Sequence, residues 1–230
     1  NLSISPAQCV EWVKEAFCIK YDAQLPPKIS LHPQGNDFFN TMPCLLPASY
    51  DRFGVKVVSR IAGNKPSLHS DLLLYEASSG KLLSFMDADW ITQMRTGAVA
   101  ALAIQTLQSK DAQTYAFVGL GSTAIATMQC LAAIIPSDNV ITCKLLKYKD
   151  QAEKFAYLFS AYSNLQFVIV ETNEDLVKDS DVIVSAVTEM TTLFCADNNL
   201  YKKGVLVVPI HTRGFQNCDL FFDHVFADDT

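Results

Sequence analysis

The sequence lacks a basic stripe and any cysteine or histidine pair at metal-ligand spacing. It has 18 Lys and Arg residues against 24 Asp and Glu, a formal net charge of −6, which disfavours nucleic acid as a partner. Seven cysteines are odd in number, scattered and without a C-x-x-C pair, which argues against a disulfide framework and a zinc site. We therefore expect a small-molecule partner, no metal and a reducing, cytoplasmic location.

Charge is also missing from residues 112–137, a length that would suit a membrane span. Two glycines and the hydroxyl residues Ser122, Thr123 and Thr127 interrupt this apolar run, at the spacing of a strand, a turn and a helix. Half of the residues are hydrophobic and 18% are charged, as in globular proteins. We therefore expect no membrane segment here.

The most informative stretch is a strand-like run at 114–118 that leads into a Gly-Leu-Gly turn and then an Ala-rich helical pattern at 122–135. Its sequence is G-x-G-x-x-A. Glycines let the backbone approach a pyrophosphate, and a helix N-terminus presents N–H groups and positive dipole charge to it. The pattern therefore predicts a dinucleotide site made by Gly119, Gly121, Ser122, Thr123 and Ala124.

The second half of the chain alternates between strand and helix patterns. Strands are predicted at 114–118, 140–146, 167–170, 181–187 and 205–209, with helices at 122–135, 150–162 and 174–177. This alternation predicts a Rossmann-type doubly wound parallel sheet that binds its ligand at the carboxyl edge. Ala186, Val187 and Thr188 reach that edge and are candidates for cofactor contacts, with an ordinary buried strand as the alternative.

The type of dinucleotide depends on the end of the second strand, about 20 residues past the glycines, where an acidic residue would hold the ribose of NAD. No carboxylate occurs there; the sequence offers Lys147 and Lys149 instead. Either lysine could meet a 2′-phosphate, so we expect NAD or NADP, with NADP slightly favoured. Solvated surface lysines are the alternative.

The first half of the chain predicts an α+β domain. A helix is expected from about 6 to 20, followed by five prolines between 26 and 47 that leave short extended pieces. Strands at 53–59, 72–76 and 81–86 form an antiparallel sheet with a hairpin, and a helix capped by Thr92 runs to about 108. The polar residues after this helix place a domain boundary between 1–108 and 109–230.

Two cations in this half occupy unusual positions. Lys56 lies in the middle of an apolar strand, and Arg95 is expected in the first turn of a helix, where the macrodipole disfavours a cation. An anion site would explain both. A snorkelling lysine and a structural salt bridge are the alternatives.

Five segments of the first half resemble the ornithine cyclodeaminase and mu-crystallin family. They are T-M-P-C at 41–44, G-V-K-V-V at 54–58, L-L-Y-E at 73–76, G-K-L-L at 80–83 and I-T-Q-M-R-T-G-A at 91–98. The G-x-G-x-x-A turn follows at the family's distance, so the resemblance covers nearly the whole chain. Only the family's final segment, which packs back on the first domain, is expected to be absent after Thr230.

The resemblance implies a nicotinamide enzyme that transfers hydride at the α-carbon of an amino or imino acid. Lys56 and Arg95 would bind the substrate carboxylate, with Lys28 where the family has an arginine, and Thr96 would contact the cofactor. The possible reactions are conversion of ornithine to proline with release of ammonia and reduction of a ketimine. The alternative is a non-catalytic mu-crystallin-like protein that binds a nucleotide or small ligand.

The resemblance also implies a homodimer formed through the first domain, which would carry the substrate site. One departure concerns the loop at 209–214, where cyclodeaminases use an aspartate; in this chain the first carboxylate after Pro209 is Asp219. His211 lies in that loop and could supply acid-base chemistry near neutral pH, with a structural histidine as the alternative.

Overall fold

The computed structural model describes residues 3–187, 192–210 and 221–227. The chain divides into two compact units. The antiparallel unit is Glu11–Arg95, and the parallel unit is Asn1–Val10 with Thr96–Thr230. The division therefore falls inside a long helix, whereas the domain boundary was predicted at the end of that helix. A sequence pattern shows where a helix stops but not where its packing partners change, and the predicted domain assignment stays a prediction.

The antiparallel unit is built on a five-stranded sheet. Helix α1 spans Pro6–Ile19 and a 3₁₀ turn follows at Lys20–Asp22; the strands are β1 Ile29–Leu31, β2 Phe38–Leu45, β3 Arg52–Arg60, β4 Leu68–Glu76 and β5 Leu82–Asp87. Each strand pairs antiparallel with the next in chain order. Helix α2, Asp89–Leu107, begins in this unit and continues into the other.

One face of this sheet, the face that carries Lys56, packs against the start of α2. Lys56 shares one face with Val58 and Ser70, since side chains alternate along a strand and β3 pairs Val58 with Ser70. Val58 and Ser70 are buried. The start of α2 covers this face, because Asp89 Oδ1 accepts from the Ser70 N–H at 2.6 Å and Thr92 Oγ1 donates to Ser70 Oγ at 3.0 Å.

Helix α2 starts three residues before the predicted cap. Asp87 Oδ1 accepts from the Asp89 N–H at 2.9 Å, and Thr92 uses its hydroxyl on Ser70 rather than as a cap. Arg95 is thus in the second turn, so its predicted position in the first turn is wrong and the dipole argument for an anion there fails. The sequence pattern placed the cap at Thr92 because it did not show that Asp87 satisfies an N–H group at an earlier start.

The parallel unit has alternating strands and helices. They are β6 Thr114–Val118, α3 Ser122–Ile134, β7 Ile141–Leu146, α4 Gln151–Leu158, β8 Leu165–Val170, α5 Asn173–Val177, β9 Val182–Ser185 and β10 Leu206–Pro209, with a 3₁₀ turn at Asn198–Leu200. All the strand pairs are parallel and the order is β10-β9-β6-β7-β8. This is the order of a Rossmann sheet, with the first strand in the middle, and it confirms the predicted fold class.

The core of the parallel unit joins its sheet to the helices. Phe117 of β6 and Phe155 of α4 lie with ring centroids 5.8 Å apart, and both are buried. Helix α2 packs closely on α3: a Cβ on Gly97 would lie 2.5 Å from the carbonyl carbon of Ala126 and 2.6 Å from the nitrogen of Thr127. Across the described residues, every helix is too short or too polar for a membrane span.

Candidate functional site

The turn after β6 depends on Gly119. Its φ is +76°, a region that side chains other than glycine rarely adopt. A Cβ there would lie 2.5 Å from the nitrogen of Val187 and 2.6 Å from the carbonyl carbon of Ala186. Both backbone conformation and space therefore require glycine at this position, and the turn lies against the segment that follows β9.

Gly121 serves a different purpose from Gly119. It is the N-cap of α3 with a φ of −84°, and a Cβ on it would meet nothing within 4 Å. The first N–H groups of a helix have no partner inside the helix, and the dipole places positive charge at this end. Ser122 is exposed here while Ala124 is fully buried. Open space above Gly121 is what close approach of an anionic ligand needs.

The predicted contacts from β9 lie at this same turn. The Ala186 N–H donates to the carbonyl of Val118 at 2.9 Å, so Ala186 and Val187 flank Gly119. Thr96 precedes Gly97 on α2 and is half-buried in the same unit. Thr188 and His211 lie outside the described residues. The cofactor roles of these residues stay predictions.

The carboxyl end of β7 holds an ion pair that the sequence pattern did not reveal. Lys147 Nζ lies 2.8 Å from Glu171 Oε1, and the Lys147 N–H donates to the carbonyl of Val170 at 2.9 Å. Glu171 follows β8, the strand beside β7, so a search confined to the end of β7 misses it. The signal that would have found it is the parallel register of the two strands, Leu146 with Val170.

Lys56 and Arg95 lie close enough for their charges to interact. Lys56 is half-buried in β3, and burial, together with the charge of Arg95, lowers the pKa of its ammonium to about 8. Arg95 is more exposed and keeps its charge at any pH near neutral. The antiparallel unit thus brings the two predicted carboxylate ligands together.

Lys28, the third predicted substrate ligand, precedes β1. The register pairs Ile29 with Thr41 and Met42 with Lys56, so an extended chain would place Lys28 beside Met42 and two strands from Lys56. Two strand spacings are about 10 Å, which a lysine side chain partly spans. Lys28 is exposed. Its contribution to the site stays a prediction.

Comparison with known proteins supports the interpretation of the sequence. The model of the ornithine cyclodeaminase/mu-crystallin family matches residues 2–223. The chain belongs to this family. The match confirms the resemblance derived from the segments around Lys56, Arg95 and the glycine turn.

Several curated proteins and solved structures are similar to this chain. The nodulation efficiency protein NfeD of Rhizobium meliloti is 26% identical over 194 residues, 83% of this chain and 59% of that protein. The Thermococcus litoralis Δ1-pyrroline-2-carboxylate reductase, solved with NADH and L-proline, has a TM-score of 0.82 at 24% identity, covering 93% of this chain and 68% of that one. An archaeal alanine dehydrogenase dimer with bound NAD has a TM-score of 0.72 at 25% identity, covering 81% and 57%.

This chain spans about half to three fifths of the length of the curated relatives that it matches. Among the described residues, no group of three or more His, Cys, Asp and Glu side chains could hold a metal ion. The predicted site residues that the structure describes include the turn at Gly119 and Gly121 in the parallel unit, and Lys56 and Arg95 in the antiparallel unit.

Alanine substitutions at the two turn glycines should have different effects on stability. Gly119→Ala forces a positive φ and a backbone clash, so we expect the free energy of unfolding to fall by about 3 kcal/mol or more. Gly121→Ala only replaces one N-cap by a poorer one and should cost about 1 kcal/mol or less. Urea unfolding of both variants measures the difference, and equal losses would contradict the assigned geometry.

The lowered pKa of Lys56 makes anion binding depend on pH. The ammonium attracts a carboxylate only while protonated, so affinity should fall as pH rises through about 8. Calorimetric titration with cyclopentanecarboxylate, which has no amine to titrate, measures this. In Lys56→Arg the cation stays charged across this range, so its affinity should be flat; a wild-type profile that is equally flat would contradict the assignment.

Proposed function

We propose that this protein is an NAD(P)-dependent enzyme that transfers hydride at the α-carbon of an amino or imino acid. The observation that carries the proposal is that Lys56, half-buried on β3, lies near the charge of Arg95 on α2. Two like charges held together raise the free energy of the protein, and a bound carboxylate lowers it again. Membership of the ornithine cyclodeaminase/mu-crystallin family and the dinucleotide-fitted turn at Gly119 support the same activity.

The chain's own residues have distinct tasks in this proposal. Arg95 and Lys56 bind the substrate carboxylate and so orient the α-carbon, and Lys28 adds a third, more distant cation. Gly121 and the start of α3 hold the diphosphate of the dinucleotide. When bound, the nicotinamide supplies the hydride acceptor or donor. Because its pKa is about 8, Lys56 Nζ can also hold or release a proton near neutral pH.

Within this activity, ketimine reduction fits the sequence better than cyclodeamination. Residues 209–214 include no carboxylate to handle a substrate amine. His211, in this segment, remains the candidate acid or base as a prediction from the sequence. The similar Thermococcus litoralis protein is named a pyrroline-2-carboxylate reductase, which agrees with a small cyclic imino acid as the substrate class.

The proposed cofactor is NAD(H) or NADP(H). The relatives solved with NADH or NAD support a nicotinamide dinucleotide. The slight preference for NADP from the sequence rests on Lys147 and Lys149 and stays a prediction. All six cysteines in the described part of the chain are free thiols, in keeping with the proposed cytoplasmic location.

Assays with two substrate pairs test the proposed activity. We expect Δ1-pyrroline-2-carboxylate to be reduced with oxidation of NADH or NADPH, and ornithine with NAD+ to yield neither ammonia nor proline. Arg95→Ala and Lys56→Ala should each lower kcat/KM about 10- to 100-fold, since each removes a charge-assisted contact to the carboxylate.

Arg60→Ala is the matched control, because Arg60 is a cation on the same strand and the same face, four residues from Lys56. It should leave kcat/KM within about twofold. Ammonia and proline from ornithine would identify a cyclodeaminase instead. Dinucleotide binding without turnover of either substrate would identify a non-catalytic binding protein.

We also propose that the protein is a homodimer that pairs through the face of the antiparallel sheet opposite Lys56. Register places the row Pro43, Val55, Leu73 and Phe85 on the face opposite Lys56. The exposed apolar side chains on that face include Ile29, Leu31, Phe39 and Phe85, which are 42–66% exposed. Apolar patches of this kind mark protein interfaces, and the similar archaeal alanine dehydrogenase is a dimer.

A charge on this face should separate the subunits. Phe85→Lys places an ammonium within the proposed interface, and we expect sedimentation equilibrium to show a monomer where the wild-type protein is a dimer. Tyr157→Lys is the control, because Tyr157 is 82% exposed on α4 of the other unit. A wild-type protein that stays monomeric at tens of micromolar, or a Phe85→Lys dimer, would contradict the proposal.

A further inference from the structure

Three residues lie in one row along the carboxyl edge of the parallel sheet. The register pairs Phe117 with Leu145 and Leu145 with Ile169, so two residues further on Gly119, Lys147 and Glu171 follow the ends of β6, β7 and β8. Neighbouring strands are about 4.8 Å apart, which places the backbone of Glu171 about 10 Å from that of Gly119. This is the edge at which a Rossmann sheet binds its ligand.

The Glu171 carboxylate and the Lys147 ammonium in this row form an ion pair. Lys147 Nζ and Glu171 Oε1 are 2.8 Å apart, and the side chains are 43% and 69% exposed. The Lys147 N–H also bonds the carbonyl of Val170, so the backbones of both residues are tied together. The hydrogen bond from Lys147 to Glu171, reinforced by the charge of Glu171, raises the pKa of the ammonium. Lys147 is therefore not a free cation.

The second lysine of this segment is also engaged. Lys149 Nζ lies 5.2 Å from the ring centroid of Tyr148, a cation–π contact. A 2′-phosphate arriving at this edge would bring up to two negative charges toward Glu171, and it would have to separate the pair to reach Lys147. A ribose 2′-hydroxyl brings no charge and can donate a hydrogen bond to the same carboxylate.

We propose that Glu171 selects the dinucleotide: its carboxylate, held by Lys147, accepts from a ribose hydroxyl and repels a 2′-phosphate, so the site prefers NAD(H) to NADP(H). This rests on the proposed function, because it requires a dinucleotide at the Gly119 turn. It reverses the preference inferred from the sequence, which treated Lys147 as available for a phosphate. Glu171 takes the place of the acid that is missing from the end of β7.

The affinities of NADH and NADPH for the whole protein test this proposal without a need for turnover. We expect wild type to bind NADH more tightly, by fluorescence titration at a fixed salt concentration. Glu171→Gln keeps the shape, removes the negative charge and releases Lys147, so the ratio of affinities should move toward NADPH about five- to tenfold. Lys147→Gln in the Glu171→Gln background should remove most of that gain.

Glu174→Gln is the matched control, because Glu174 is an exposed carboxylate three residues along the chain. It should leave the ratio unchanged, and thermal melts should show all variants folded. Equal or tighter wild-type binding of NADPH, or a ratio that Glu171→Gln does not move, overturns the proposal for Glu171 alone. Binding of neither dinucleotide to wild type overturns the proposed function as well.

Discussion

The close approach of Gly119 to the Ala186–Val187 backbone is the constraint on which the proposed dinucleotide site depends. Gly119 has a φ of +76° and no room for a Cβ, and this geometry fixes how β6 enters its turn and where α3 begins. The start of α3 then presents its N–H groups at the carboxyl edge of the sheet, above the open space at Gly121. The positive φ and the crowding thus fall on Gly119, and Gly121 is left with open space.

The antiparallel unit contributes a different kind of constraint. A sheet with Lys56 on the face that α2 covers places its ammonium in a half-buried position near Arg95, and the pKa falls to about 8. Such an arrangement costs stability and is typical of functional sites. Among the described residues, the opposite face of the sheet carries several exposed apolar side chains. In the proposals above, one face of this sheet binds a small acid and the other face pairs with a second subunit.

Much of the parallel unit could be predicted from the sequence because each strand, turn and helix there follows its own local pattern. The antiparallel unit was harder to predict from the sequence. Strand β2 was not predicted, since Pro43 and its neighbours indicate a break, yet β2 pairs with β3 over eight residues. The start of α2 was predicted too late, at Thr92. The hydroxyl of Thr92 bonds Ser70 instead of capping the helix, and the sequence does not show this tertiary contact. Glu171 was missed for the same reason: its partner Lys147 lies 24 residues away and meets it only through the pairing of β7 with β8.

The proposed enzyme activity requires a dinucleotide whose diphosphate lies at the Gly119 turn. A crystal structure of the protein soaked with NADH tests this most directly. We expect density for the diphosphate within hydrogen-bonding distance of the backbone N–H groups at Ser122 and Thr123, with the adenosine end toward β7 and β8. Clear density for the dinucleotide at another place on the molecule, with the turn at Gly119 and Gly121 empty, would contradict the account.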